Sequence, residues 1–174
     1  MMSRATSKKT IRRLTFSELC ASLIFCATYF IKIPVFSGYI HAGDGLVFLA
    51  AVFLPRSYAI AAAAIGAGLA DLIGGYPLWI PITVAVRVLS ILCFPGGQGD
   101  FTFISRRNFI AIALSAIITG AGYFVFESLF VYHSAIAALA GVPFNLLQSA
   151  VGAILFSVIG KTRDAGKFPR IDLK

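Results

Sequence analysis

The chain has 174 residues, 59% of them apolar and only 13% charged, with a mean hydropathy of +0.89 and a net charge of +8. Soluble domains carry about 25% charged residues, so this composition excludes an ordinary soluble fold and predicts an all-α integral membrane protein. A crossing helix needs about 20 apolar residues, and the length then accommodates a six-transmembrane-helix bundle.

The chain reads as a single membrane domain, 1–174. Residues 1–14 form a basic N-terminus with Arg4, Lys8, Lys9, Arg12 and Arg13, and residues 15–160 form the bundle. The apolar run 15–33 is too long for a secretory signal peptide, and no Ala-x-Ala site follows it, so it is expected to stay as the first helix. That helix is predicted over 16–33 and ends before Pro34. A loop, 35–42, carries Tyr39 and His41. The second helix, 44–54, is short for a crossing. The third, 58–73, is rich in Ala and Gly and closes on the turn Gly74-Gly75-Tyr76-Pro77. The fourth is predicted over 78–94 and is followed by a flexible connection, 95–100. The fifth spans 108–131, and the sixth runs from 135 or 142 to 159. Residues 161–174 form a basic tail.

Charge orients the bundle. With both termini in the cytoplasm, thirteen of the fifteen Lys and Arg fall on the cytoplasmic side, leaving Lys32 outside and Arg87 within a helix. The basic residues flank membrane segments and form no groove interleaved with aromatics, so nucleic acid is not expected as a partner. Cys20, Cys26 and Cys93 sit in apolar runs without metal spacing and read as small buried residues, and no metal site is expected.

In this topology the polar groups within apolar sequence gather at one depth. Asp44, Asp71, Glu127, Asn145 and Gln148 all fall toward the outer ends of their helices, and Asn145 and Gln148, three apart, share a face. Tyr39, His41, Tyr76, Trp79, Tyr123 and Tyr132 crowd the same level, while Arg87 lies deeper. The inner halves of the helices are apolar, which predicts an outward-opening cavity and not a continuous ion pathway. Several of these residues have a purely structural reading beside the functional one. Asp44 fits a helix N-terminal cap as well as a ligand contact. Asp71 and Arg87 fit a structural ion pair as well as a site. Tyr132 fits the interfacial aromatic belt, and Asn145 with Gln148 fits interhelical hydrogen bonding. Ala62, Gly66 and Ala70 form a small-residue ridge for close helix packing; Ser17, Ala21, Ser22 and Cys26 form a weaker one, suited to a partner protein or to internal packing.

The sequence holds no phosphate-binding loop, no H-E-x-x-H and no G-x-S-x-G, and neither half repeats the other in inverted form. No enzyme chemistry is expected. A membrane enzyme or a solitary or ion-coupled solute carrier remain as alternatives, the second distinguished by uptake without ATPase partners.

Four stretches carry a resemblance: GDGLVFLAAVFLP (43–55), LADLIGGYPLWIP (69–81), GYFVFESLF (122–130) and VPFNLLQSAVGAI (142–154). In this order and spacing they resemble the substrate-binding S components of energy-coupling factor (ECF) vitamin transporters, and look closest to the pyridoxine and hydroxymethylpyrimidine branch. The resemblance implies a multi-pass subunit of the prokaryotic plasma membrane that binds a vitamin or its precursor from outside. It would dock on a transmembrane coupling subunit carrying two cytosolic ATPases; these use the ATP, and this chain holds no cofactor. Toppling of the bundle would release the substrate inward. The implied docking residues are Ser17, Ala21, Ser22 and Cys26, which depart from the family's Ala-x-x-x-Ala pattern. The polar and aromatic residues already placed at the outer level or just below it, Tyr39, His41, Asp71, Tyr76, Trp79, Arg87, Tyr123, Glu127, Asn145 and Gln148, are the candidate substrate-binding residues, with the 35–42 loop as a lid. The excess of buried acid over base argues for a neutral or cationic ligand.

Overall fold

The computed structural model describes residues 4–35, 38–96 and 102–166. The expected lid residues 36 and 37, most of the expected connection after Pro95 and the tail from 167 lie outside the described residues. In chain order the elements are α1 (Arg4–Tyr29), β1 (Lys32–Val35), β2 (Gly38–His41), α2 (Gly43–Phe53), α3 (Arg56–Gly74), α4 (Ile80–Cys93), α5 (Arg106–Phe126), α6 (Ala135–Leu139) and α7 (Val142–Asp164). A 3-10 turn, Pro77–Trp79, leads into α4, and a π turn, Glu127–Val131, prolongs α5.

Among the described residues, the longer helices close into a ring in which α1 packs on α3, α3 on α4, α4 on α5, α5 on α7, α7 on α2 and α2 on α1. Three helical stretches are long and apolar enough to cross a membrane: Arg56–Gly74, Arg106–Val131 and Ala135–Asp164. Gly43–Phe53 and Pro77–Cys93 are apolar but shorter.

Side-chain size is sorted in the manner of a membrane bundle. Ala50, Ala51, Ala59, Ala62, Ala63 and Ala67 fill the interior around Phe48, Phe94 and Phe156, whereas Leu69, Leu72, Ile73, Leu89, Ile117 and Ile154 point outward. Lipid tails are as apolar as leucine, so helices gain little by hiding large side chains from them; small residues let backbones approach and gain packing instead. The Ala62–Gly66–Ala70 ridge does this against α1, where a Cβ on Gly66 would lie 2.5 Å from the Ala21 carbonyl oxygen. The ridge is internal packing. At the α2–α7 crossing, a Cβ on Gly45 would meet the Gly152 carbonyl oxygen at 2.9 Å, and one on Gly152 would lie 2.8 Å from Asp44 Cβ. This close approach brings Asp44 within reach of α7.

Three expectations change in detail. The predicted loop after the first helix is an antiparallel hairpin that pairs Lys32 with His41 and Pro34 with Tyr39. Pro34 is tolerated because each strand of a two-stranded ribbon has a free edge. α1 accordingly ends at Tyr29, earlier than predicted. The sixth predicted helix is split: Ser134 caps short α6 by accepting from the Ala137 N–H at 3.4 Å, and Pro143 sits in the first turn of α7, where its missing N–H costs nothing. Finally, none of the three cysteines is fully buried as expected: Cys26 is exposed, Cys20 and Cys93 are half-buried, and all three are free thiols.

The bundle end away from the hairpin is tied by polar contacts to backbone. The Asp164 carboxylate accepts from the N–H groups of Phe103 at 3.0 Å and Ile104 at 2.9 Å. Arg56 Nη2 donates to the Phe94 carbonyl at 3.1 Å, satisfying the C-terminus of α4.

Candidate functional site

A cavity of about 460 Å³ opens at the hairpin end of the ring. Its walls come from the hairpin, the α3–α4 turn, the end of α5 and the start of α7.

The α3–α4 turn is shaped by Gly75. Its φ of 85° is left-handed, and the Tyr76 N–H donates to the Asp71 carbonyl at 2.8 Å while the Gly75 N–H reaches Leu72 at 3.5 Å. This glycine-ended helix stop turns Tyr76 and Trp79 toward the cavity. Their rings meet edge to face at 5.7 Å, and Tyr76 lies 5.1 Å from Tyr39 of the hairpin. Lys32 Nζ lies 4.8 Å from the Tyr29 ring and 5.0 Å from the Tyr39 ring, so this cation is held over aromatic faces.

Along β2, Tyr39 and His41 are two residues apart and share the cavity face. The Tyr39 hydroxyl donates to Asp71 Oδ1 at 2.8 Å. Burial, reinforced by the Asp71 charge, raises the Tyr39 phenol well above its usual range, so it remains a donor at physiological pH. Burial pushes the His41 imidazole down to about 4, against the pull of Asp44. Neutral His41 accepts from the Gly43 N–H through Nδ1 at 3.1 Å, fixing the turn from hairpin to α2.

On the opposite wall, the π turn presents Glu127, only 4% exposed, to Trp79, whose Nε1–H donates to Glu127 Oε1 at 3.3 Å. A π turn rotates the residues after it relative to an unbroken α-helix, and composition alone does not signal it. Thr83 and Tyr123 share a hydrogen bond of 2.7 Å between α4 and α5. Asn145, Phe144 and Gln148 of α7 complete the wall. Among the described residues, the Asn145 side chain has no protein hydrogen-bond partner.

Tyr39, His41, Asp71, Tyr76, Trp79, Tyr123, Glu127, Asn145 and Gln148 therefore converge on one cavity. Arg87 does not line it. Arg87 is 1% exposed, and its Nη2 forms an ion pair with Asp44 Oδ1 at 2.8 Å. The expected pairing of Arg87 with Asp71 is thus replaced by one with Asp44, which the α2–α7 approach carries into the interior. Asp44 is likewise no cap: α2 is preceded by Ala42, with no side-chain capping bond. It also accepts from Gln148 Nε2 at 3.0 Å and from the Ser149 hydroxyl at 3.3 Å. Thr28, Thr83 and Phe144 line the cavity as well, beyond the residues expected from sequence. Thr83 has a usable signal, since it lies one helical turn before Arg87 on the same face of α4.

On α1, Ser17 is turned inward, donating to the Tyr58 carbonyl at 3.0 Å, while Ser22 and Cys26 are exposed and Ala21 is half-buried. Ser17, Ala21 and Ser22 line an apolar groove of about 330 Å³ between α1 and α3, with Glu18, Ala62 and Gly66. Cys26 lies outside it.

A helical membrane bundle with a closed ring and a polar, aromatic-walled cup at one end is built to hold a small solute. The family model describing the S component of ECF-type riboflavin transporters matches residues 8–163, and the chain belongs to that family. The fold is similar to a solved S component of a bacterial ECF transporter, with a TM-score of 0.74 over 92% of this chain and 99% of that one, at 15% identity. No curated protein matches the chain significantly. S components are substrate-binding transporter subunits embedded in the prokaryotic cell membrane, and they are not enzymes.

Proposed function

We propose that this chain captures a planar-ring vitamin from the outer face of the membrane and surrenders it inward through ATP-driven partner subunits. The carrying observation is the 460 Å³ cavity with Tyr39, Tyr76, Trp79 and Tyr123 in its walls and the Asn145 amide unpartnered among the described residues. Aromatic faces stack on a planar ring, and a few placed polar groups fix its orientation. The volume and the family to which the chain belongs favour a fused-ring, flavin-type ligand. The four sequence stretches favour the smaller pyridoxine or hydroxymethylpyrimidine as a second reading.

In this account the chain crosses the membrane six times with both termini in the cytoplasm, as the placement of Lys and Arg favours. α1 and the shorter α2 and α4 complete the set begun by the three long apolar stretches. The groove between α1 and α3, with Cys26 at its end of the helix, is the docking face for a transmembrane coupling subunit that carries two cytosolic ATPases.

Titration of the purified protein with riboflavin, pyridoxine and hydroxymethylpyrimidine tests the ligand. Stacking on Tyr76 and Trp79 would quench riboflavin fluorescence with one-to-one stoichiometry, and pyridoxine would not compete. Binding of pyridoxine or hydroxymethylpyrimidine without riboflavin would replace the flavin reading with the second.

A further inference from the structure

Two alternate residues of β2 are each held by a buried acid, one directly and one through an amide. Tyr39 donates to Asp71 of α3 at 2.8 Å. The backbone N–H of His41 donates to Gln148 Oε1 at 3.3 Å, and Gln148 Nε2 donates to Asp44 Oδ1 at 3.0 Å. Asp44 in turn holds Arg87 Nη2 at 2.8 Å. A continuous path therefore runs from hairpin backbone to α7 amide, α2 carboxylate and α4 guanidinium.

We propose that Gln148 is a positioning residue: it bridges the hairpin wall to the Asp44–Arg87 pair and does not itself contact the ligand. Both ends of its amide are engaged, its oxygen by His41 and its nitrogen by Asp44, and the residue is only 3% exposed although it borders the cavity. A ligand could reach only the second N–H or second lone pair of an amide whose orientation these two contacts already fix. Asn145, one turn earlier on the same face of α7, has no such engagement among the described residues. The two amides thus divide the work, Asn145 facing the ligand and Gln148 fixing the wall. Asp44 is a fit anchor because it is 1% exposed, accepts from Ser149 as well, and is held by a cation buried to the same degree. An oxygen so fixed is a defined anchor, so the hairpin is registered against the buried Asp44–Arg87 pair. The Tyr39–Asp71 bond is the second tether, on the far side of His41 from the α2 turn.

The inference rests on the reading of the cavity as the substrate site, and its test separates the two. The full-length protein and its Gln148→Met and Gln148→Glu variants are compared by hydrogen exchange without ligand. Methionine keeps the volume and removes both bonds; glutamate loses the donor and sets a second carboxylate against Asp44. Exchange at the amides of 39–42 should rise about tenfold in Gln148→Met and further in Gln148→Glu, with α4 and α5 protection unchanged. Asn145→Ala should leave hairpin exchange at the wild-type rate. With riboflavin as probe, Gln148→Met should speed dissociation about tenfold with little change in association, whereas Asn145→Ala should weaken affinity with the hairpin intact. Wild-type exchange at 39–42 in both Gln148 variants would overturn the positioning role. So would a riboflavin affinity that falls in Gln148→Met with no change in hairpin exchange, since that is the signature of a direct contact. If riboflavin binds none of the proteins, the flavin reading fails while the exchange data still decide the tether.

Discussion

Arg87 and Asp44 meet at 2.8 Å in the interior of the ring, each only 1% exposed, although 43 positions separate them in sequence. The pair joins α4 to α2 beneath the cavity. Removing one partner leaves an uncompensated buried charge, which costs about 3–5 kcal/mol. Arg87→Met should therefore lower the melting temperature of the purified protein sharply, and Asp44→Asn should do likewise. The double variant should recover part of the loss. Unchanged melting in both single variants would remove the pair from the stabilising core.

At the α2–α7 crossing, Gly152→Ala would set a Cβ 2.8 Å from Asp44 Cβ and 2.9 Å from the Gly45 backbone nitrogen. Backbone on the far side cannot yield as a flexible side chain does, so a loss of about 1–3 kcal/mol is expected. Denaturation in mild detergent measures it. The same change should loosen the bond between Gln148 and Asp44 and accelerate exchange in the hairpin.

Asn145→Ala should weaken ligand affinity about tenfold while leaving the melting temperature within a degree or so of wild type, because no protein bond is lost. Glu127→Gln keeps an acceptor for Trp79 Nε1 but removes the charge, so a smaller effect is expected for a neutral ligand and a larger one for a cationic ligand. Calorimetric titration of both variants against neutral riboflavin and against pyridoxine protonated at mildly acidic pH separates these cases.

His41 gives the protein a signed pH dependence. Its imidazole sits at about 4 in the fold, below the ordinary value of 6.5. Between these values the unfolded chain binds the extra proton, so this residue's contribution to stability is present above about 6.5 and is lost as pH falls toward 4. Melting temperature should decline over that window in the wild type and less steeply in His41→Asn, which keeps an acceptor for Gly43. An identical decline in both proteins would clear His41 of the effect.

Much of the cup is legible in the amino-acid sequence, for a physical reason. Charged and amide side chains are costly in apolar sequence, so Asp71, Glu127, Asn145 and Gln148 stand out, and the alternating direction of successive helices brings them to one end of the bundle. Tyr76 and Trp79 follow from the Gly74-Gly75 turn. Arg87 is visible as a buried charge, but its partner is not. The choice of Asp44 over Asp71 depends on how closely α2 approaches α7, which Gly45 and Gly152 settle through space and not through local pattern. The hairpin escapes notice because strands of four residues, one containing Pro34, carry almost no periodic signal. The π turn that presents Glu127 escapes for a similar reason, since no residue type announces it. On α1, helical spacing groups Ser17, Ala21, Ser22 and Cys26, but packing against α3 turns Ser17 inward and leaves Ser22 and Cys26 outside.

The proposed docking of a coupling subunit on α1 and α3 is tested separately. Ala21→Trp should fill the groove between α1 and α3, leaving ligand binding by the purified subunit unchanged while abolishing uptake in cells that supply the coupling subunit and ATPases. Normal uptake would move the docking face elsewhere on the bundle.

The central claim, that this subunit holds a planar-ring vitamin in the hairpin-end cavity, is tested most directly by native mass spectrometry of the protein purified from cells. The account predicts one bound small molecule per chain, with the mass of a ring-containing vitamin and reduced occupancy in Asn145→Ala. A chain that carries no small molecule and acquires none from riboflavin, pyridoxine or hydroxymethylpyrimidine would contradict it.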